Sequence, residues 1–189
     1  MIIWYYYMVI LIHHPSYSQN IYQSTIAVSD QGKKYLPINA FAQLISESFF
    51  NSWKSCFAAC NSNTLCRIFY YEAVQAKQCR LFEGDIGTLG SIVASTISTS
   101  KVGTIRITAS LFTQYNQPCS SVCKESRYLI CDSNSTCQCM PHTYWNPSVQ
   151  MCLPQSPIRG ASCQQNLNMC REDLNYTCLQ FNQCGRKKT

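Results

Sequence analysis

The chain has 189 residues, 46% of them hydrophobic and 13% charged, which excludes a disordered chain and allows one ordinary domain or two small ones. Its net charge of +6 is spread evenly, eight basic against five acidic residues over 19–116 and seven against four over 117–189. Only Arg186, Lys187 and Lys188 form a run, so the charge reads as a solubility feature and no nucleic-acid partner is expected.

Ile2 to Ile12 is an unbroken apolar and aromatic stretch, of the length of a signal-peptide core and too short to span a bilayer. Ser16 and Ser18 follow with one residue between them, which places a cleavage between Ser18 and Gln19 and makes 1–18 a signal peptide. No Lys or Arg precedes the apolar run, so a retained N-terminal anchor is the alternative. No stretch reaches membrane-spanning length, and the mature chain is expected to have no membrane span. All 14 cysteines lie after residue 55, an even number that suits an oxidising compartment. Asn134-Ser-Thr136 and Asn175-Tyr-Thr177 are glycosylation sequons, with Asn134 and Asn175 as acceptors. A secreted, extracellular protein is expected.

A strand is expected around Tyr22–Val28, followed by a turn at Asp30-Gln31-Gly32. The next element is a helix over about Ser52–Asn61, capped by Asn51, with Trp53, Cys56, Phe57 and Cys60 on one face. Two short strands, Cys66–Glu72 and Gln78–Phe82, follow with Gln75-Ala76-Lys77 as their turn. Glu83-Gly84-Asp85 closes the pair, and Gly87–Ser100 reads as a long surface loop. Gly103–Phe112 reads as the closing strand, Ile105 and Ile107 alternating with Thr104, Arg106 and Thr108. A boundary at Gln117-Pro118 divides a first domain, 19–116, from a cysteine-rich region, 117–189.

Cysteine spacing carries most of the information. Cys56 and Cys60 project from one helix face, above strands opened by Cys66 and Cys79. Nested pairing, Cys56 with Cys79 and Cys60 with Cys66, follows if the helix and first strand run antiparallel. In the second region Cys119, Cys123, Cys131, Cys137, Cys139 and Cys152 precede Cys163, Cys170, Cys178 and Cys184. Cys123, Cys131 and Cys137 share their intervals of seven and five residues with Cys170, Cys178 and Cys184, which suggests a partial second repeat. Arg186 stands in the place of Cys139; either the copy is a four-cysteine variant or the chain is cut short. The pairing in this region stays open.

Residues 53–82 resemble the core of PAN/apple domains, through Cys56-x3-Cys60, then Cys66-x2-Phe69-x-Tyr71, then Cys79-x-Leu81. The resemblance covers about residues 20–113. It implies an α+β fold, a curled antiparallel sheet around one helix stapled by the same two nested disulfides. With no cysteine before Cys56, it implies the variety without a bridge tying the termini. Residues 119–152 resemble the EB module, through Cys137-Gln-Cys139, Tyr144-Trp145 and Cys152, and the whole tail reads as a small disulfide-rich, loop-dominated region. The PAN resemblance implies binding of extracellular protein or carbohydrate.

Clustered cysteines also suit zinc, but C-x-C and C-x3-C without histidines match no zinc-ribbon spacing, so no metal and no cofactor are expected. His142 is the single histidine after the leader and sits in a Pro/Tyr/Trp-rich loop, which gives no catalytic constellation. No enzyme is expected. Tyr144 and Trp145, between staples, are binding candidates, as are Tyr70 and Tyr71, which alternation sends to opposite faces. The rival function is a secreted protease inhibitor or defence effector, with Pro141–Met151 as a stiff, exposed loop.

Overall fold

A computed structural model describes residues 24–74, 77–121, 123, 126–163 and 166–187. The expected signal peptide with its Ser18/Gln19 cleavage point and the Gln75-Ala76 part of the expected turn lie outside them. No helix among the described residues is long and apolar enough to cross a membrane.

The first strand, β1, is Ile26–Val28, and a second, β2, Lys33–Pro37, follows the Gly32 turn. One turn of helix, α1 (Ala40–Gln43), leads directly into β3 (Leu44–Phe49). Helix α2 spans Trp53–Ser62; its cap is Ser52 and not Asn51, since the Ser52 hydroxyl accepts from Ser55 N at 3.1 Å. Strands β4 (Ile68–Tyr71) and β5 (Gln78–Phe82) form the expected hairpin. The stretch expected to be a loop holds β6, Gly90–Ala94, which pairs with β2. The closing strand β7 is Lys101–Ile105, and the chain then leaves the sheet for a 3-10 turn at Ala109–Phe112.

Five antiparallel strands lie side by side in the order β1-β7-β4-β5-β3. Helix α2 covers one face, where Phe69, Tyr71, Leu81 and Ile105 pack around the sulfurs of Cys56, Cys60, Cys66 and Cys79. The β2–β6 ribbon covers the other, where Tyr35 meets Ile68, Tyr70, Phe82 and Val102. Strand β4 is therefore buried on both sides, and its sequence, four consecutive apolar or aromatic residues, fits that position. The ring of Phe69 lies against the backbone of Gly103, its partner in register, where any Cβ would collide with it. The disulfides are Cys56–Cys79 and Cys60–Cys66, which tie both turns of the helix face to the hairpin beneath.

The cysteine-rich region is the expected disulfide-rich, loop-dominated one, organised by three short hairpins. They join β8 (Leu129–Cys131) to β9 (Cys137–Cys139), β10 (Thr143–Asn146) to β11 (Met151–Pro154), and β12 (Tyr176–Cys178) to β13 (Cys184–Arg186). Its bridges are Cys119–Cys131, Cys123–Cys137, Cys139–Cys152, Cys163–Cys178 and Cys170–Cys184. The first and third hairpins are copies of one unit. In each, the first cysteine pairs with the third and the second with the fourth. In each, a left-handed residue sits two places before the last cysteine, Ser135 and Asn182. The same backbone bonds recur, Cys119 N to Ser135 O and Cys163 N to Asn182 O, both at 2.8 Å. The middle hairpin and its staple have no counterpart in the second unit, where Arg186 replaces Cys139.

The packing boundary falls before Gln117. Phe112, Leu111 and Tyr115 belong to the core around Cys123, Tyr128 and Cys137, so the segment after β7 is part of the second region's interior. In the other direction Arg127, 1% exposed, reaches back into the first domain. Its Nη2 donates to the carbonyls of Asn63 and Cys66, each at 2.7 Å, and of Cys60 at 3.3 Å, and its Nη1 donates to Asn61 Oδ1 at 3.0 Å. These carbonyls cluster at the C-terminal end of α2, where a cation also complements the helix dipole.

Candidate functional site

A cluster of charged groups around the buried Arg171 sits where the first domain and both cysteine-rich units meet. Glu83 comes from the end of β5, His142 from the turn before β10, and Arg171 and Asp173 from the second unit. His142 holds a left-handed backbone, φ 62°, that turns its ring toward Glu83, and Nδ1 lies 2.9 Å from both carboxylate oxygens. Its Nε2 faces Asp173 Oδ2 at 3.6 Å. Arg171, 5% exposed, bridges the two acids, with Nη1 2.9 Å from Glu83 and a two-nitrogen contact to Asp173 at 2.6 and 2.7 Å. Its Nη1 also donates to Ala42 O at 3.2 Å. Burial on its own would lower the Arg171 pKa; hydrogen bonding to Asp173 and the charges of Glu83 and Asp173 outweigh it and raise the pKa instead. The same hydrogen bonds hold the Asp173 carboxyl below its usual range, with the Arg171 and His142 charges adding to the effect.

An open groove of about 420 Å³ runs beside this cluster. It is lined by the charged or polar His142, Glu172 and Asp173, the aromatic Tyr115, Tyr144 and Trp145, and the amides Gln138, Gln155 and Asn168. Trp145 and Tyr115 stack with their ring centroids 3.9 Å apart and their planes 7° from parallel. Phe112 supports the stack from its edge, its centroid 6.5 Å from Trp145. Burial pushes the hydroxyls of Tyr115 and Tyr144 up from their ordinary range.

The sequence candidates separate in the structure. Tyr144 and Trp145 border the groove, but on a β-strand and not at a loop tip; Tyr144 is mostly buried and Trp145 half-buried. Tyr70 and Tyr71 do point to opposite faces, yet both faces are covered, leaving them 5% and 4% exposed. They are core residues, because the β2–β6 ribbon lies over the side expected to face solvent. Pro141–Met151 holds β10 and the turn of the β10–β11 hairpin, whose strands pair with one another; its exposed residues are Pro141 and the turn, 147–150. Asn134 and Asn175 are exposed, at the turn of the first hairpin and at a left-handed position before β12. Glu83, Arg171, Asp173 and Tyr115 had no signal in the sequence, since Glu83 and His142 lie 59 positions apart and nothing local links them.

Two sulfur triplets, Cys119 with Cys123 and Cys137, and Cys163 with Cys170 and Cys184, each lie within 4.8 Å. All six are in disulfides, which leaves no thiolate to offer a metal.

The PAN domain family model matches residues 39–107, from the cap of α1 to just beyond β7. It takes in the helix, both of its staples and four of the five sheet strands, so the first region carries a PAN domain. The match stops short of Cys119, and the EB likeness of the second region stands on its cysteine pattern alone. No curated protein matches the chain. The PAN domain is a module that binds proteins or carbohydrates, and seven disulfides are the chemistry of an oxidising, extracellular setting.

Proposed function

We propose that this chain is a secreted, non-catalytic recognition protein that binds an extracellular protein or glycan, with no cofactor or metal. The observation that carries the reading is the groove within the cysteine-rich region, lined from Tyr115 to Asp173 by both of its units. Its aromatic stack and its row of carboxylates and amides are the partners that sugar rings and peptide edges both use. Staples and hairpins on every side fix its shape before any ligand arrives, which lowers the ordering cost of binding. A structural part for His142 is supported by its contacts within the junction, Nδ1 2.9 Å from Glu83 and Nε2 facing Asp173 at 3.6 Å.

The test is the full chain, displayed against an array of extracellular glycans and a panel of matrix and cell-surface proteins, beside Trp145→Ala and Gln138→Ala. Binding by the wild type that both variants lose supports the reading. Retained binding in both variants overturns the groove as the site. A protease stopped in complex at the 147–150 turn would replace it with inhibition, and substrate turnover lost in His142→Ala would replace it with catalysis.

A further inference from the structure

A second cleft, separate from the groove, lies between the sheet and the β10–β11 hairpin. It encloses about 240 Å³, and its walls are largely apolar, with Ile86, Ile105 and Ile107 facing Met151 and Leu153. Arg67 also lines it. This side chain is 4% exposed, and its Nη1 has no hydrogen-bond partner. No carboxylate among the described residues forms an ion pair with it. Glu83, an acid within its field, is already engaged by Arg171 and His142.

A buried guanidinium in this condition is unusual, because buried cations are normally paired and hydrogen-bonded. Arg127 shows how the same fold treats such a group when its task is structural, since its Nη2 is spent on three carbonyls. Arg67 has the ring of Tyr128 against it, its Cζ 5.2 Å from the centroid, which fixes the fork in place and leaves a hydrogen-bonding nitrogen unused. Arg127 stands on the same ring at 5.7 Å and adds a second positive charge. The site is therefore a preorganised, buried cation in the lining of a largely apolar cleft.

We propose that this cleft binds a monocarboxylate with an apolar body, the carboxylate accepting from Arg67 and the body lying between the isoleucines and the hairpin. Asp85 lines the same cleft and selects against a dianion such as a phosphate monoester. The isoleucines and Met151 offer no partner for a polar tail. Two sources share this chemistry, a free fatty or aromatic acid and the C-terminus of an apolar peptide.

Calorimetric titration of the full chain tests it with octanoate as the probe, 1-octanol as the headless control and acetate as the tailless one. Octanoate should bind, and each control should bind at least about tenfold more weakly, the worth of a charge-assisted contact or of the buried tail. Arg67→Met should lose octanoate by a similar factor while leaving 1-octanol unchanged. Leu153→Trp fills the cleft without touching Arg67 and should lose both. A leucine-terminated tripeptide with a free carboxylate, beside its amide, separates the two sources; Arg67-dependent binding of either acid supports the site. Equal affinity for octanoate and 1-octanol overturns it, as does wild-type octanoate affinity in folded Arg67→Met, or no binding of either acid at millimolar concentration. If Arg67→Met does not fold, wild-type octanoate affinity in Leu153→Trp overturns the proposal on its own.

Discussion

The guanidinium of Arg127, in the cysteine-rich region, donates to the carbonyl of Asn63 at the end of the PAN helix, 64 residues earlier, at 2.7 Å. Its neighbouring bonds to Cys60 and Cys66 make one side chain the cap of a helix in another domain. The two regions are thereby one folding unit at this point. Arg127→Met removes a shared donor from three carbonyls; those of Cys60 and Asn63 keep the backbone donors Asn63 N and Cys66 N, so the buried Cys66 carbonyl bears most of the loss, and roughly 1–3 kcal/mol is expected. Denaturant unfolding checks the value, and Arg127→Lys should recover only part of it, since an ammonium lacks the planar fork.

Gly103 is the position at which the central sheet admits no side chain, because the Phe69 ring occupies the space above it. Gly103→Ala forces that ring against Phe57 and the helix staples, at a cost of about 1–3 kcal/mol. The double variant Gly103→Ala with Phe69→Leu should be less destabilised than the sum of the two single changes. Additive losses in thermal unfolding would show that the contact does not matter.

Tyr35 gives the protein an alkaline limit. Its hydroxyl donates to Leu89 O at 3.0 Å and accepts from Gln43 Nε2 at 3.2 Å. Burial pushes its pKa up to about 12, with the Gln43 hydrogen bond acting the other way. The folded state thus holds the proton above the ordinary tyrosine value near 10, where the unfolded chain releases it. Its contribution is complete below pH 10 and is lost as the pH rises toward 12. Tyr35→Phe should flatten the fall in stability across that window, as followed by unfolding at a series of pH values.

The parts of this fold legible in the sequence were those written in local spacing. Cys56 and Cys60 lie one helical turn apart, and the alternation of Gln78–Phe82 defines a strand by itself. The intervals shared by Cys123 and Cys170 announce the repeated unit. The ribbon over the second sheet face was not legible, because β6 opens on Gly90 and Ser91 inside a Gly/Ser/Thr-rich stretch and its partner β2 lies more than fifty positions away. That single omission exposed Tyr70 on paper and buries it in the structure. The junction site failed for the same reason, since Glu83, His142 and Arg171 meet only after three separate units have folded.

The two helix staples should differ in worth. Cys56–Cys79 closes a separation of 23 residues and Cys60–Cys66 one of 6. On the chain-entropy model these loops are worth about 3.4 and about 2.2 kcal/mol, so the outer staple leads by roughly 1 kcal/mol. All four sulfurs are buried, so replacing either pair by alanine leaves a comparable void and the packing cost largely cancels. Cys56→Ala with Cys79→Ala should therefore unfold at lower denaturant than Cys60→Ala with Cys66→Ala. The opposite order would mean that the short staple acts on the folded state, by holding the last turn of α2 where Arg127 caps it, and Arg127→Met would then add little to its loss.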